Sequence, residues 1–170
     1  RPILRASTRA EVRSADSQAQ LEYARTQLAN AFESMREGVA LFDASDQLAF
    51  SNEAFRAVFA TDEAPILRGT RYEAFIRDIA GRGLLAGIGA GDDIWIQEQL
   101  DRHQHDSQTT FRFSDGRSFD LTERKTDDGG TVLVQTDATE TDRRDAARKT
   151  TEHRARVMID AVFDGVITID

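Results

Sequence analysis

Apolar positions change their period twice along the chain, and the changes mark out its elements. Residues 4 to 36 contain neither Gly nor Pro and are rich in Ala, Arg, Gln, Glu and Leu, which predicts one long helix. Leu21, Leu28 and Met35 recur every seven residues with Ala24 or Arg25 and Phe32 between them, giving the last two heptads an apolar seam. A second stretch without Gly or Pro, 139 to 163, predicts another helix. Its apolar positions are Ala146, Ala147, Val157, Met158 and Ala161, so more of it is expected to be exposed.

Between these helices the pattern becomes short, alternating and bounded by turn residues. Segments 38–43 and 47–51 read as strands joined by a turn at Ala44-Ser45-Asp46. Asn52 stands as an N-cap before a short helix over 53–59, in which Phe55 and Phe59 share a face. Two further helices are predicted over 72–81 and 92–105, then strands over 109–113, 117–125 and 131–137. Asp115-Gly116 and Asp127-Asp128-Gly129-Gly130 link these last strands, both strong hairpin signals. The expected class is α+β, an antiparallel sheet with its helices on one face. In the first strand Val39 and Leu41 point one way and Ala40 and Phe42 the other, so both faces are apolar and both require cover. Small helices supply one cover; the long helix ending at Met35, or its copy in a second chain, supplies the other.

The opening pattern returns near the end. Gly38, Val39 and Asp43 recur as Gly165, Val166 and Asp170, offset by 127, each glycine preceded by an acid, and Phe32 and Met35 recur as Ile159 and Val162. One complete module, a connector and the first strand of another are expected.

Composition narrows the chemistry. The 170 residues carry 22 Lys and Arg against 30 Asp and Glu, a net charge of -8, with 39% hydrophobic residues. This suits a globular protein. The acidity sits in 31–140, with 11 basic and 21 acidic residues, which argues against a nucleic-acid footprint. Arg1, Arg5, Arg9 and Arg13 stack on one helix face, read as a solvated face or as contact with a membrane surface or anionic partner. The absence of cysteine excludes disulfides, thiolate metal sites, cysteine nucleophiles and cysteinyl-flavin chemistry. No apolar run approaches the roughly 20 residues of a membrane span, and no signal peptide opens the chain, so the expected location is the cytoplasm.

Four motifs carry a family resemblance: Glu33-Ser34-Met35-Arg36-Glu37-Gly38-Val39-Ala40-Leu41-Phe42-Asp43, Ser51-Asn52-Glu53-Ala54-Phe55, Asp115-Gly116-Arg117, and Gln135-Thr136-Asp137-Ala138-Thr139-Glu140. Over about 32–140 the chain resembles a PAS domain of the bacterial sensor histidine kinase type, with Ala138 where the family usually has Ile. The restart at Ile159 to Asp170 resembles the opening of a second one. The resemblance implies a five-stranded antiparallel sheet, short helices on one face, long signalling helices on both sides, and a cavity able to hold a small ligand. The implied division is 1–36 as a coiled-coil-like linker, 37–139 as the PAS domain, 140–160 as a connector helix, and 161–170 as the first strand of a truncated second domain.

The expected function follows: a non-enzymatic sensory, relay and dimerisation module of a multidomain signalling protein in a two-component system, a sensor histidine kinase. Its partners are a second copy and the neighbouring domains of the parent. Alternatives are a structural dimerisation module without ligand, the input domain of a nucleotide cyclase, and a small enzyme on the same scaffold. Phe55, Phe75, Trp95, Phe111, Phe119 and Leu121 are the candidates to line a cavity, against the plainer reading that they fill the core. Leu21, Leu28, Phe32 and Met35 are the candidate dimer interface. Asp137, Thr139 and Glu140 form the candidate signal junction, where Asp137 with Glu140 has capping-box spacing and Thr139 is a second N-cap.

No catalytic constellation stands out. Glycine-rich 81–91 follows a helix, lacks Gly-Lys-Ser/Thr and opens onto Asp92 and Asp93, so a flexible loop is expected in place of a phosphate site. His103 and His105 are two apart and are expected to lie solvated at the polar end of their helix, with no histidine facing inward. His153 is read as solvated too. Neither haem, flavin nor metal is therefore expected, and the identity of any small-molecule ligand is left open.

Overall fold

Residues 3–150 are described by a computed structural model, with side-chain surroundings from residue 15 onward. The side chains of Arg1, Arg5, Arg9 and Arg13, together with His153 and the restart at 161–170, lie outside the described residues. The elements run α1 (Ile3–Glu33), β1 (Gly38–Phe42), β2 (Leu48–Ser51), α2 (Glu53–Phe59), α3 (Tyr72–Gly81), α4 (Asp93–His103), β3 (Ser107–Arg112), β4 (Ser118–Lys125) and β5 (Thr131–Asp137). A last helix, α5, occupies 139–150.

The five strands form one antiparallel sheet in the order β2-β1-β5-β4-β3. β5 closes the sheet by pairing with β1 from Gly38 opposite Gln135 to Phe42 opposite Thr131. The hairpins form where the turn residues predicted: Gly116 and Gly129 both have φ of 86°, open to glycine at no steric cost. Asp46, at φ 56°, holds the β1–β2 turn, where Asp43 accepts the Ser45 and Gln47 amides.

Helices α2, α3 and α4 cover one face of the sheet and bury Ala40, Phe42, Leu121 and Leu133 with Phe55, Phe59, Phe75, Ile76, Ile79 and Ile96. On the other face α1 leaves a groove of about 270 Å³ lined by Leu28, Ala29, Phe32, Val39, Leu41, Phe50 and Val132, with Arg25 at its rim. The long helix thus supplies part of the second cover, and Phe32 meets Phe50 with ring centroids 6.0 Å apart. The glycine-rich segment departs from the expected flexible loop at its start. Leu85 is buried and bridges to Phe113, the Ala86 amide donates to the Arg112 carbonyl, and the Ser114 amide donates to the Leu84 carbonyl. An apolar side chain with a sheet edge within reach outweighs the local glycine preference.

Candidate functional site

The two long helices join the sheet at one end. Because Gly38 opens β1 and Gln135 lies opposite it near the end of β5, the chain enters from α1 and leaves into α5 through paired neighbouring strands. Each junction is hydrogen-bonded to the sheet by its own residues.

At the entrance Asn52 is fully buried and uses every polar group it has. Its Oδ1 accepts the Val39 amide at 2.8 Å and the Phe55 amide at 3.0 Å, while its Nδ2 donates to the carbonyls of Phe32 and Glu37 at 2.9 Å each. One side chain therefore caps α2, holds β1 and fastens the end of α1. Glu33 adds a second tie by accepting the Glu53 amide at 2.8 Å, and Arg56 reaches both Glu33 and the Ser51 carbonyl.

At the exit the first turn of α5 begins with Asp142 N donating to Ala138 O, which makes Ala138 the capping position. Asp137 sits one residue earlier and accepts the Thr139 amide at 2.9 Å. The Thr139 hydroxyl is taken by Ser118, accepting its amide at 3.0 Å and donating to its carbonyl, so it caps no helix amide. Glu140 turns to Arg144 in place of closing a capping box. Sequence reasoning missed Asp142, whose carboxylate takes Arg112 at 2.9 and 3.0 Å and the Ser118 hydroxyl at 2.8 Å. Those bonds hold its carboxyl below the ordinary value, with Arg112 the larger cause. Only its place one turn past Thr139 hinted at this, and Arg112 is 30 residues away in sequence.

The expected interface residues on α1 and just past it are exposed: Leu21 and Leu28 at 60%, Phe32 at 41% and Met35 at 40%. Of the cavity candidates, Phe55, Phe75, Phe111, Phe119 and Leu121 are buried in the core. Phe55 and Phe75 lie in a ring cluster with Phe59 at centroid distances of 4.9 to 5.7 Å. Trp95 and Phe111 border an open groove of about 160 Å³ beside Leu85 and Ile88.

The histidine expectation is overturned for His103 and not for His105, which is exposed. His103 is fully buried, with its ring stacked on Tyr72 at 3.5 Å and 7° and standing edge-on to Phe42. Nδ1 lies 2.8 Å from the Glu123 carboxylate, which also accepts the Ser107 hydroxyl at 2.9 Å. An inward histidine in the last helix before the meander therefore exists. Two periods pointed to it: Ile96, Gln99 and His103 follow one helix face, and Phe119, Leu121 and Glu123 alternate on one strand face. Burial, then the Glu123 carboxylate beside it and Asp46, hold the Tyr72 hydroxyl well above its ordinary range. Among the described residues no group of three His, Asp or Glu side chains is placed to hold a metal ion, and no helix is long and apolar enough to cross a membrane.

None of the curated proteins matches the chain. Among solved structures it is similar to the PAS domain of an HTR-like protein from Haloarcula marismortui, at 18% identity over 72% of this chain and 98% of that one, TM-score 0.46. A domain of a sensory box sensor histidine kinase/response regulator from Geobacter sulfurreducens aligns at 18% identity over 69% and 96%, TM-score 0.41. The PAS domain of Bordetella pertussis BvgS aligns at 14% identity over 84% and 98%, TM-score 0.38. A family profile described as the PAS fold matches residues 32–147, from the last turn of α1 through the sheet into α5. With a five-stranded antiparallel sheet, helices on its inner face and a hydrogen-bonded exit into α5, the chain belongs to the PAS-fold family.

Proposed function

We propose that the chain is a sensory and relay module that dimerises through α1 and passes its state into α5. The parent in this reading is a cytoplasmic multidomain signalling protein, a sensor histidine kinase, and the chain itself performs no catalysis. The observation that carries the reading is the strand pair β1–β5, which links the entering and leaving helices at one end of the sheet. A shift of β1 against β5 acts on both junctions, since Asn52 holds one and Ser118 with Asp142 holds the other. The apolar groove beside α1 and the exposed Leu21, Leu28, Phe32 and Met35 support a second copy as the dimer partner. The close ring contacts among Phe55, Phe59 and Phe75 favour, as a second reading, a relay that works without a small ligand.

Light scattering is the test of the dimer: it should give about 38 kDa, twice the 19.0 kDa chain, with Phe32→Asp moving the mass toward one copy because it would bury an unpaired charge. A monomeric parent chain at tens of micromolar overturns the interface. The relay is tested in the full-length protein by Thr139→Ala and Asp137→Ala, each costing roughly 0.5–1.5 kcal/mol of local stability at the exit through the hydrogen bonds it removes. Both should change output activity with the dimer intact. Output at the parent level in both would refute the relay.

A further inference from the structure

At the far end of the β1–β5 pair, opposite the helix junctions, a polar cluster joins three elements, with His103 and Glu123 buried and the Asp46 side chain 41% exposed. His103 closes α4, Glu123 comes from β4, and Asp46 from the β1–β2 turn. A carboxylate only accepts, so the Nδ1 proton of His103 points to Glu123 at 2.8 Å. The other nitrogen, Nε2, is buried, has no hydrogen-bond partner, and faces the Asp46 carboxylate at 3.7 Å. In the neutral ring this sets a lone pair against another acceptor. One added proton makes Nε2 a donor aimed at Asp46, and a charge-assisted bond becomes available.

From these contacts we infer that His103 is a proton-operated clasp, tightening the end of α4 onto the β1–β2 turn when Nε2 is protonated and slackening when it is neutral, in addition to the 3.4 Å donation from Gln104 Nε2 to Asp46 that does not depend on the ring. The groups facing the ring are Glu123 on β4, Asp46 in the turn, the stacked Tyr72 ring on α3 and the edge-on Phe42 ring on β1. The Lys125 ammonium on β4 lies 3.5 Å from the His103 carbonyl and donates to Thr131 Oγ1 at 2.8 Å. Two carboxylates thus flank the imidazole, and the Lys125 ammonium is held by backbone and hydroxyl oxygens. Histidine is the side chain whose ordinary charge change falls between about pH 5 and 8, which sets the range over which such a proton is tested. The turn is able to report it. Asp46 O accepts the Tyr72 amide at 2.9 Å, the Asp46 amide donates to Asp43 O, and the turn continues β1 toward Gly38 and the entrance junction.

The clasp gives the sensory reading a stimulus but is tested on the isolated 170-residue chain, so a failure of the dimer or relay leaves its test unaffected. The ring nitrogens of His103 are followed by long-range nitrogen NMR from about pH 8.5 to 5.5, a span covering the ordinary histidine range. In the same samples, amide exchange of Asp46 and Tyr72 is corrected for its intrinsic pH dependence. As Nε2 gains its proton, exchange at both amides should slow by about three- to tenfold, the effect of one net hydrogen bond. Asp46→Gly removes the carboxylate while suiting the positive φ of that position. It should keep the ring titration and abolish the slowing. A ring that stays in one form across the range overturns the clasp. So does a titration that leaves both amides unchanged, or a slowing that persists in the glycine variant.

Discussion

Replacing Asn52 with alanine removes one side chain and four hydrogen bonds at once. Loss of the α2 cap costs about 0.5–2 kcal/mol. The Val39 amide loses its side-chain acceptor in a buried place, costing about 1–3 kcal/mol. The Phe32 and Glu37 carbonyls are half-buried, so water recovers much of their loss. The sum is about 2–5 kcal/mol, a large share of the roughly 5–15 kcal/mol that holds a domain together. At roughly 4 °C per kcal/mol for a domain of this size, the melting temperature falls by about 8–20 °C. Asn52→Asp separates acceptor from donor. It keeps the acceptor that serves Val39 and Phe55 but sets a second oxygen against the carbonyls of Phe32 and Glu37. Burial and those carbonyls raise its folded pKa above the ordinary carboxylate value of about 3.9. Its deficit relative to the parent therefore grows as pH rises from about 4 and levels off above the raised value; on acidification the protonated form donates to one carbonyl and the deficit narrows. Urea unfolding followed by circular dichroism, with parent and variants compared at each pH, measures both effects. Loss of less than about 1 kcal/mol in the alanine variant, or an aspartate deficit that does not change with pH, would refute the assignment of Asn52 as the hub.

Asp142→Asn should leave global stability within about 1 kcal/mol, because its Arg112 partner is largely exposed, yet speed amide exchange through 139–150. The parent latch, whose carboxyl is lowered by Arg112 and Ser118, is present above the ordinary carboxylate range and is lost as pH falls through the lowered folded value. Equal exchange in parent and variant would remove the latch. Gly130→Ala places a Cβ 2.6 Å from the Phe42 carbonyl and should cost about 1–3 kcal/mol, whereas Gly81→Ala meets nothing within 4 Å and should be neutral or stabilising; denaturant midpoints distinguish them. The purified chain should show neither Soret nor flavin absorbance after desalting, because the buried, mutually packed rings of Phe55, Phe59 and Phe75 fill the core beside the sheet that a macrocycle or an isoalloxazine would have to enter. A retained chromophore band would contradict that arrangement.

Much of this protein was legible in one dimension because its signals are local. The period of seven and the absence of Gly and Pro placed α1, alternation placed the strands, and Asp115-Gly116 placed a hairpin through the positive φ it permits. Asn52 was identified as a cap from its position before Glu53, but its bonds to Phe32, Val39 and Glu37 required the return of the chain. The same limit applies to His103. Its inward face followed from helical spacing with Ile96, but polarity at the helix end argued for solvent, and the deciding fact was Glu123, 20 residues on and across the fold. The Asp142 clamp with Arg112 was equally invisible, since a half-buried acid beside an exposed base has no period to betray it. Backbone conformation and the side of an element that seeks the core are set by neighbours in sequence, through sterics and the cost of leaving apolar surface in water. Which buried polar group meets which depends on strand order and register. Only the assembled sheet decided that His103 would find Glu123 and face Asp46.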